Sequence, residues 1–295
     1  MSGHLRADLI RLRARWDVRG FIVLVPLVAM LGYVLAYTGI ESQYGLGSGG
    51  QVPPEVAAQF KAQIAAEQAQ YAFPHSLLAA LNNAPWVLFG LFFLVATTLG
   101  LEFGWGTIRT VLISSPERGR LVASRLLATG AIAVYTLVAL LVVGAVMPFL
   151  MRAAGVVIPA SPETPAAMIV VSVVAAALAA ALLVTAGALL AVLTRSPALP
   201  LLVLILDLLV ELVLAGNPVV EQAGLKQVVG SLPLNSVTLL LEGAHDPAAY
   251  GLPPLIQPPP TADRPLALSF AVTAGWTVAL LLLTRWHVRR TDILE

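Results

Sequence analysis

The chain has no cysteine, which removes disulfides, thiolate metal sites and cysteine nucleophiles together. Lysine is almost as scarce: Lys61 follows Phe60 and Lys226 follows Leu225. Neither stands in the Gly-Lys-Ser/Thr context of a phosphate-binding loop, so no Walker-type ATPase site belongs to this polypeptide. The histidines, His4, His75, His245 and His287, are scattered without a His-Glu-x-x-His pair, and no zinc cluster can be drawn from them. Gly-x-Ser-x-Gly is missing too, and with it the common hydrolase nucleophile. No catalytic, cofactor-binding or metal-binding residue is expected, and the chain does not read as an enzyme. Charge is the last scarcity: 11% of residues are charged and 58% hydrophobic, against roughly 25% charged in a soluble domain. That balance belongs to an integral membrane protein, and a net charge of +1 gives no ground for nucleic-acid binding.

What remains is apolar sequence in membrane-length runs. About 20 apolar residues cross the roughly 30 Å hydrocarbon core as a helix, and the expected spans are 20–38, 84–103, 123–150, 166–194, 198–216 and 266–284. The fold class is therefore all-α, a single polytopic membrane domain of six helices. Arg6, Arg11, Arg13, Arg15, Arg19, Arg109, Arg118, Arg120, Arg125, Arg195, Arg285, Arg289 and Arg290 fall on one side of such a layout; only Lys61, Arg152, Lys226 and Arg264 fall on the other. The positive-inside rule then places both termini, including the 285–295 tail, in the cytoplasm. The first span reads as a retained signal anchor, since no Ala-x-Ala site follows Tyr37. Abundant alanine, with arginine preferred to lysine, suggests a GC-rich bacterial genome and thus the plasma membrane.

Between the spans, residues 1–19 place Leu5, Leu9, Leu12 and Trp16 at helical spacing among arginines. This is the pattern of a helix lying in the membrane interface, with a plain topogenic tail as the other reading. The first outer loop, 40–83, opens with a Gly45–Gly50 tract, turns at Pro53-Pro54 and continues as a helix over 55–71, with Val56, Phe60 and Ile64 four apart. That helix either packs on the rim or shields a pore mouth. Gly100 and Gly104 form a small-xxx-small pair, and the alanines of 175–181 suit tight packing. Residues 217–264 are too short and too interrupted for two further spans; short re-entrant helices in the outer leaflet, then an extended Pro253–Pro260 linker, fit better.

The connector 104–118 carries more than a turn requires. If 104–114 is helical, Trp105, Ile108 and Leu112 share a face flanked by Arg109; Pro116 ends the helix, and Glu117 and Arg118 sit in the turn. An ordinary positive-inside loop is the competing reading. The pattern from Glu102 through Gly106, Thr107, Ile108, Arg109 and Pro116 to Arg120 resembles the segment after the second span of ABC-2-type transporter permeases. The six spans, basic N-terminal helix and broken segment before the last span are similar to that family's layout, although the first outer loop is long for many of its members.

The resemblance implies a permease subunit of an ATP-driven exporter, in which two permease subunits, identical or homologous, enclose the pathway. Two separate ABC ATPase subunits would carry ATP-Mg beneath them. Glu102, Gly106, Thr107, Arg109 and Pro116 would belong to the coupling helix, with Trp105 and Ile108 as contacts inferred from spacing.

Within the fifth span, Asp207 and Glu211 share a helix face. Asp207 falls about 13 Å deep and Glu211 about 6 Å further along, where carboxyl groups cost several kcal/mol unless paired, protonated or hydrated. They either line a pathway or make a structural pairing, with Glu211 able to reach outer water in the second case. Two other functions stay open: an ion-coupled secondary transporter using these two carboxylates, and a non-transporting scaffold or sensor with 55–71 as its receptor surface. The sequence does not choose a substrate beyond a lean toward cationic or hydrogen-bonding molecules.

Overall fold

The computed structural model describes residues 2–43, 54–82, 84–104, 118–215, 217–244 and 265–290, and all regular elements among them are helices. In chain order these are α1 (Ser2–Ala14), α2 (Trp16–Gln43), α3 (Pro54–Ala69), α4 (Ser76–Asn82), α5 (Ala84–Gly104) and α6 (Arg118–Ala153). They continue as α7 (Ala166–Thr194), α8 (Leu199–Ala215), α9 (Pro218–Gln222), α10 (Lys226–Val229), α11 (Pro233–Ala244) and α12 (Leu266–Arg290). The stretches Trp16–Ile40, Ala123–Ala153, Ala166–Thr194 and Leu266–Val288 are long and apolar enough to cross a membrane, the mark of a membrane protein. The other two expected runs lie in shorter helices: α5 has 21 residues and α8 has 17, the latter about 25 Å long.

Helix α7 is the centre of the bundle, and α4, α5, α6, α8, α11 and α12 all pack on it. The reason is its composition. Ala175, Ala176, Ala179, Ala180, Ala188 and Ala191 are buried along its length, and small side chains let neighbouring backbones come close, where dispersion rather than the hydrophobic effect holds helices together. The helix stops where its sequence stops supporting it: Arg195 takes a left-handed conformation (φ 50°), and Pro197 follows.

Two glycines mark the closest approaches. A Cβ on Gly100 would lie 2.6 Å from the Ser196 carbonyl oxygen, so α5 meets the α7–α8 corner backbone to backbone. This is one half of the expected Gly100/Gly104 pair; the surroundings of Gly104 lie outside the described residues. A Cβ on Gly144 would lie 2.7 Å from the Ser76 carbonyl oxygen, and the Ser76 hydroxyl donates to the Gly144 carbonyl at 2.7 Å. That contact seats α4, a short helix that the sequence pattern did not separate from its surroundings.

The predicted helix over 55–71 is present as α3, with Ile64 buried and the helix packed on α2. The chain beyond α3 is fastened by aromatics. Tyr33 donates its hydroxyl to the Tyr71 carbonyl (2.6 Å) and Tyr37 to the Val157 carbonyl (2.8 Å), while the Tyr71 ring meets both edge-on at 5.0 and 5.5 Å. Burial, followed by the charge of Glu67, pushes the Tyr71 hydroxyl up to about 12, so it remains a neutral phenol.

Replacing Gly144 with valine should destabilise the protein by about 1–3 kcal/mol through overpacking. Gly130→Ala, where an added Cβ meets nothing within 4 Å, should stabilise by about 0.5–1 kcal/mol. Unfolding midpoints of the two purified variants in the same detergent check both signs.

Candidate functional site

Two polar centres interrupt the apolar bundle. The first gathers α1, α5 and α6. Asp8 is 3% exposed, an acid inside a basic, apolar helix. It accepts a short hydrogen bond from the Ser124 hydroxyl, and its Oδ1 lies 3.2 Å from Arg125 Nη1. The same nitrogen lies 3.0 Å from Glu102 Oε1 near the end of α5. One buried guanidinium thus bridges carboxylates from two helices while standing on a third. Buried charges persist only with such partners, because an unpaired one would neutralise or unfold the site.

The boundary between the N-terminal helix and the first long helix falls at Arg15, earlier than the expected 19/20. Helix α1 ends at Ala14 and α2 begins at Trp16, with the Arg15 guanidinium gripping the Asp17 carboxylate at 3.0 and 2.7 Å and the Val18 N–H donating to the same carboxylate. The expected apolar stripe also divides. Leu12 turns inward beside Asp8, whereas Leu9 and Trp16 are exposed, Trp16 by 85%. The carboxylate decides the rotation of α1: Asp8 must reach Arg125, and residues four apart follow it to the same face.

Glu102 is therefore not an outward member of the connector. It turns into the bundle and binds Arg125, because a carboxylate at the end of an apolar helix needs a cation. Arg118 also departs from expectation: it opens α6 rather than sitting in a turn, since the restraint imposed by Pro116 ends before it and arginine is a good helix former. Trp105, Gly106, Thr107, Ile108, Arg109 and Pro116 lie outside the described residues. The structure does fix the two ends of their segment, and the Glu102–Arg125 ion pair ties one end to the other.

The second centre is on α8. Asp207 and Glu211 stand one turn apart as predicted, but their surroundings differ. Asp207 is half-buried on a helix whose large apolar residues are mostly exposed, among them Leu206, Val210 and Val213. Glu211 is 2% exposed and does not reach water. Its Oε1 accepts the Leu234 N–H at 3.1 Å and its Oε2 accepts the Asn235 N–H, both at the first turn of α11. The outer water that the structural reading offered Glu211 is replaced by a pairing within the chain.

That pairing completes the hydrogen bonding of the α11 N-terminus. The Leu232 N–H donates to the Val229 carbonyl, Pro233 has no N–H, and the Leu234 and Asn235 N–H groups go to Glu211. The Ser236 N–H begins the regular helix by donating to Leu232. No orphan donor is left, which is what irregular backbone inside an apolar bundle requires. A carboxylate also suits the positive end of the helix dipole. Pro233 at the first helical position was the only trace of this arrangement in the sequence.

Among the described residues no group of histidines and carboxylates is arranged to hold a metal ion. No protein-family model matches the chain, and no curated protein matches it by sequence.

Arg125→Met should leave Asp8 and Glu102 buried without their cation and cost about 3–5 kcal/mol. Limited trypsin digestion of the folded protein checks the local consequence: cleavage at Arg11 and Arg13 should accelerate as α1 comes loose.

Proposed function

We propose that the chain is the permease subunit of an ATP-driven ABC transporter, an exporter working as a pair of permease subunits above two separate ABC ATPase subunits. In this reading α2, α5, α6, α7, α8 and α12 are the six crossings, both termini are cytoplasmic, and the short helices α9 to α11 lie toward the outer side of a bacterial plasma membrane. The Glu102–Arg120 connector resembles the coupling segment of ABC-2-type permeases, and Arg109 with Trp105 and Ile108 would meet the ATPase. Hydrolysis of ATP-Mg then belongs to the partner.

The observation that carries the reading is the open flank of α8. Asp207 stands at mid-helix, half-buried, between exposed Val203, Leu206 and Val210. Hydrocarbon does not solvate a carboxyl group there except at several kcal/mol, so this flank needs a wet pathway or a second subunit across a two-fold axis. A paired permease supplies both: apolar neighbours meet the partner, and Asp207 faces the enclosed path. The exposed guanidinium groups of α1 and the Glu102–Arg125 pair fall on the cytoplasmic side, where a partner ATPase could move α5 and α6 together.

Purification of the tagged chain from its native membranes should bring down a soluble ATPase. Arg109→Glu should lower ATP-driven transport roughly tenfold or more while the complex still assembles, a loss of about 1.4 kcal/mol or more in coupling. A chain that purifies alone and moves solute under an ion gradient would instead be a secondary carrier using Asp207.

A further inference from the structure

We infer that Glu211 is a protonatable pin: ionised, it holds the first turn of α11 against α8, and protonated, it lets that turn loosen. The inference goes beyond the transport reading and does not depend on it. It starts from where α11 begins. The Trp276 indole N–H donates to the Ser231 carbonyl at 2.7 Å, and Trp276 lies ten residues, about 15 Å, along α12 from Leu266. The first turn of α11 is therefore set deep alongside a helix apolar and long enough to cross a membrane. From there α11 runs back toward the start of α12, and near its end the Ser172 hydroxyl donates to the Ala244 carbonyl.

At that depth two backbone N–H groups have one acceptor group between them, the Glu211 carboxylate. Both of its oxygens are engaged, and the helix dipole favours its charge. Proton uptake converts one acceptor oxygen into a hydroxyl, so one N–H loses its partner and the charge that faced the dipole disappears. Hydrogen bonds to a charged group contribute more than neutral ones; the pin weakens with the proton, and the turn between α10 and α11 is the part it loosens. The turn keeps the Trp276–Ser231 and Asn235–Val229 hydrogen bonds, so what the proton brings is a local loosening of the first turn, with the short α9 and α10 beside it, and not departure of the helix.

The other ionisable groups on the helices packed against α8 are few. Asp207 lies one turn back on α8 itself, Lys226 opens α10, Glu242 is near the end of α11 and Glu102 is at the other end of α5; α7 carries none from Ala166 to Thr194. Asp207 is the one whose own titration could imitate that of Glu211, and it is separated by substitution below.

The natural absence of cysteine makes the test direct. Ser236 is fully buried at the pinned turn, and Ser236→Cys puts the sole thiol there. The full-length protein in lipid vesicles is treated with a small maleimide from mildly alkaline to acidic pH, with Glu211 intact or changed by Glu211→Gln. Because the neighbouring carboxylate itself shifts the thiol's ionisation, the thiolate is titrated by its absorbance in each protein and every rate is expressed per thiolate before the two are taken as a ratio at each pH. The glutamine variant, neutral at every pH, should react about tenfold faster than the parent at alkaline pH, and the ratio should fall toward one as acid protonates the parent. Asp207→Asn in the parent should leave that fall in place.

A ratio of one throughout overturns the inference, and so does an elevated ratio that ignores pH, which would make Glu211 a packing residue only. Loss of the fall in Asp207→Asn overturns it in favour of Asp207. If Glu211→Gln does not fold, the parent alone decides. Its rate at Ser236→Cys, divided by that at Thr136→Cys, equally buried on α6, should rise as the pH falls, and a flat quotient refutes the pin.

Discussion

The structure depends on one constraint: an apolar helical bundle has no water inside to accept or donate a hydrogen bond, so every buried charge and every helix end must find its partner in the chain. The constraint is met in two places by two chemistries. Near α1, the charge of Arg125 is shared between Asp8 and Glu102, which ties three helices at one point. At α11, the charge of Glu211 is spent on the backbone of a helix N-terminus. Remove either and what is left is not a weaker contact but an uncompensated group, which is why each fixes the rotation and register of the elements around it.

Close packing does the rest. Because lipid tails are as apolar as leucine, burying leucine in such a bundle earns little unless helices come near enough for dispersion and direct backbone contact. The alanine face of α7, Gly100 against Ser196 and Gly144 against Ser76 are the positions where this nearness is achieved. They explain how one central helix can hold six neighbours. By contrast α8 keeps much of its leucine and valine surface outward, as α2 and α6 do, and what sets it apart is the half-buried Asp207 at its middle.

Periodicity and composition made a good part of this legible. The span 166–194 coincides with α7, the alanine stretch is its buried face, Gly100 lies at a close approach, and the helix of the first long loop is α3 with Ile64 inward. A pattern of apolar residues records which positions avoid water, and those features need nothing more. It does not record partners. Nothing local to Asp8 points to Arg125 across more than a hundred residues, and nothing in Glu211 announces two backbone N–H groups at Leu234 and Asn235, since backbone donors have no signature in sequence. The acid in the arginine-rich first helix and the proline opening α11 were the available hints; each becomes decisive only when the fold brings the other half.

The two polar centres also differ in a way that bears on how the bundle can respond. A guanidinium keeps its charge at any physiological pH, so the joint between α1, α5 and α6 has a permanent cation and behaves as a fixed link. It joins the end of α5 to the early turns of α6 and to α1, so displacement of any one of the three helices there is felt by the other two. A carboxylate has no such permanence. Glu211 keeps its grip only while ionised, and what it grips is a short helix joined to α8 by two helices of four and five residues. A rigid joint at one place and a releasable one at the other is the arrangement a bundle needs if motion of its long helices is to end in movement of a small part. The chemistry of the two charged groups, rather than the lengths of the helices, supplies that asymmetry.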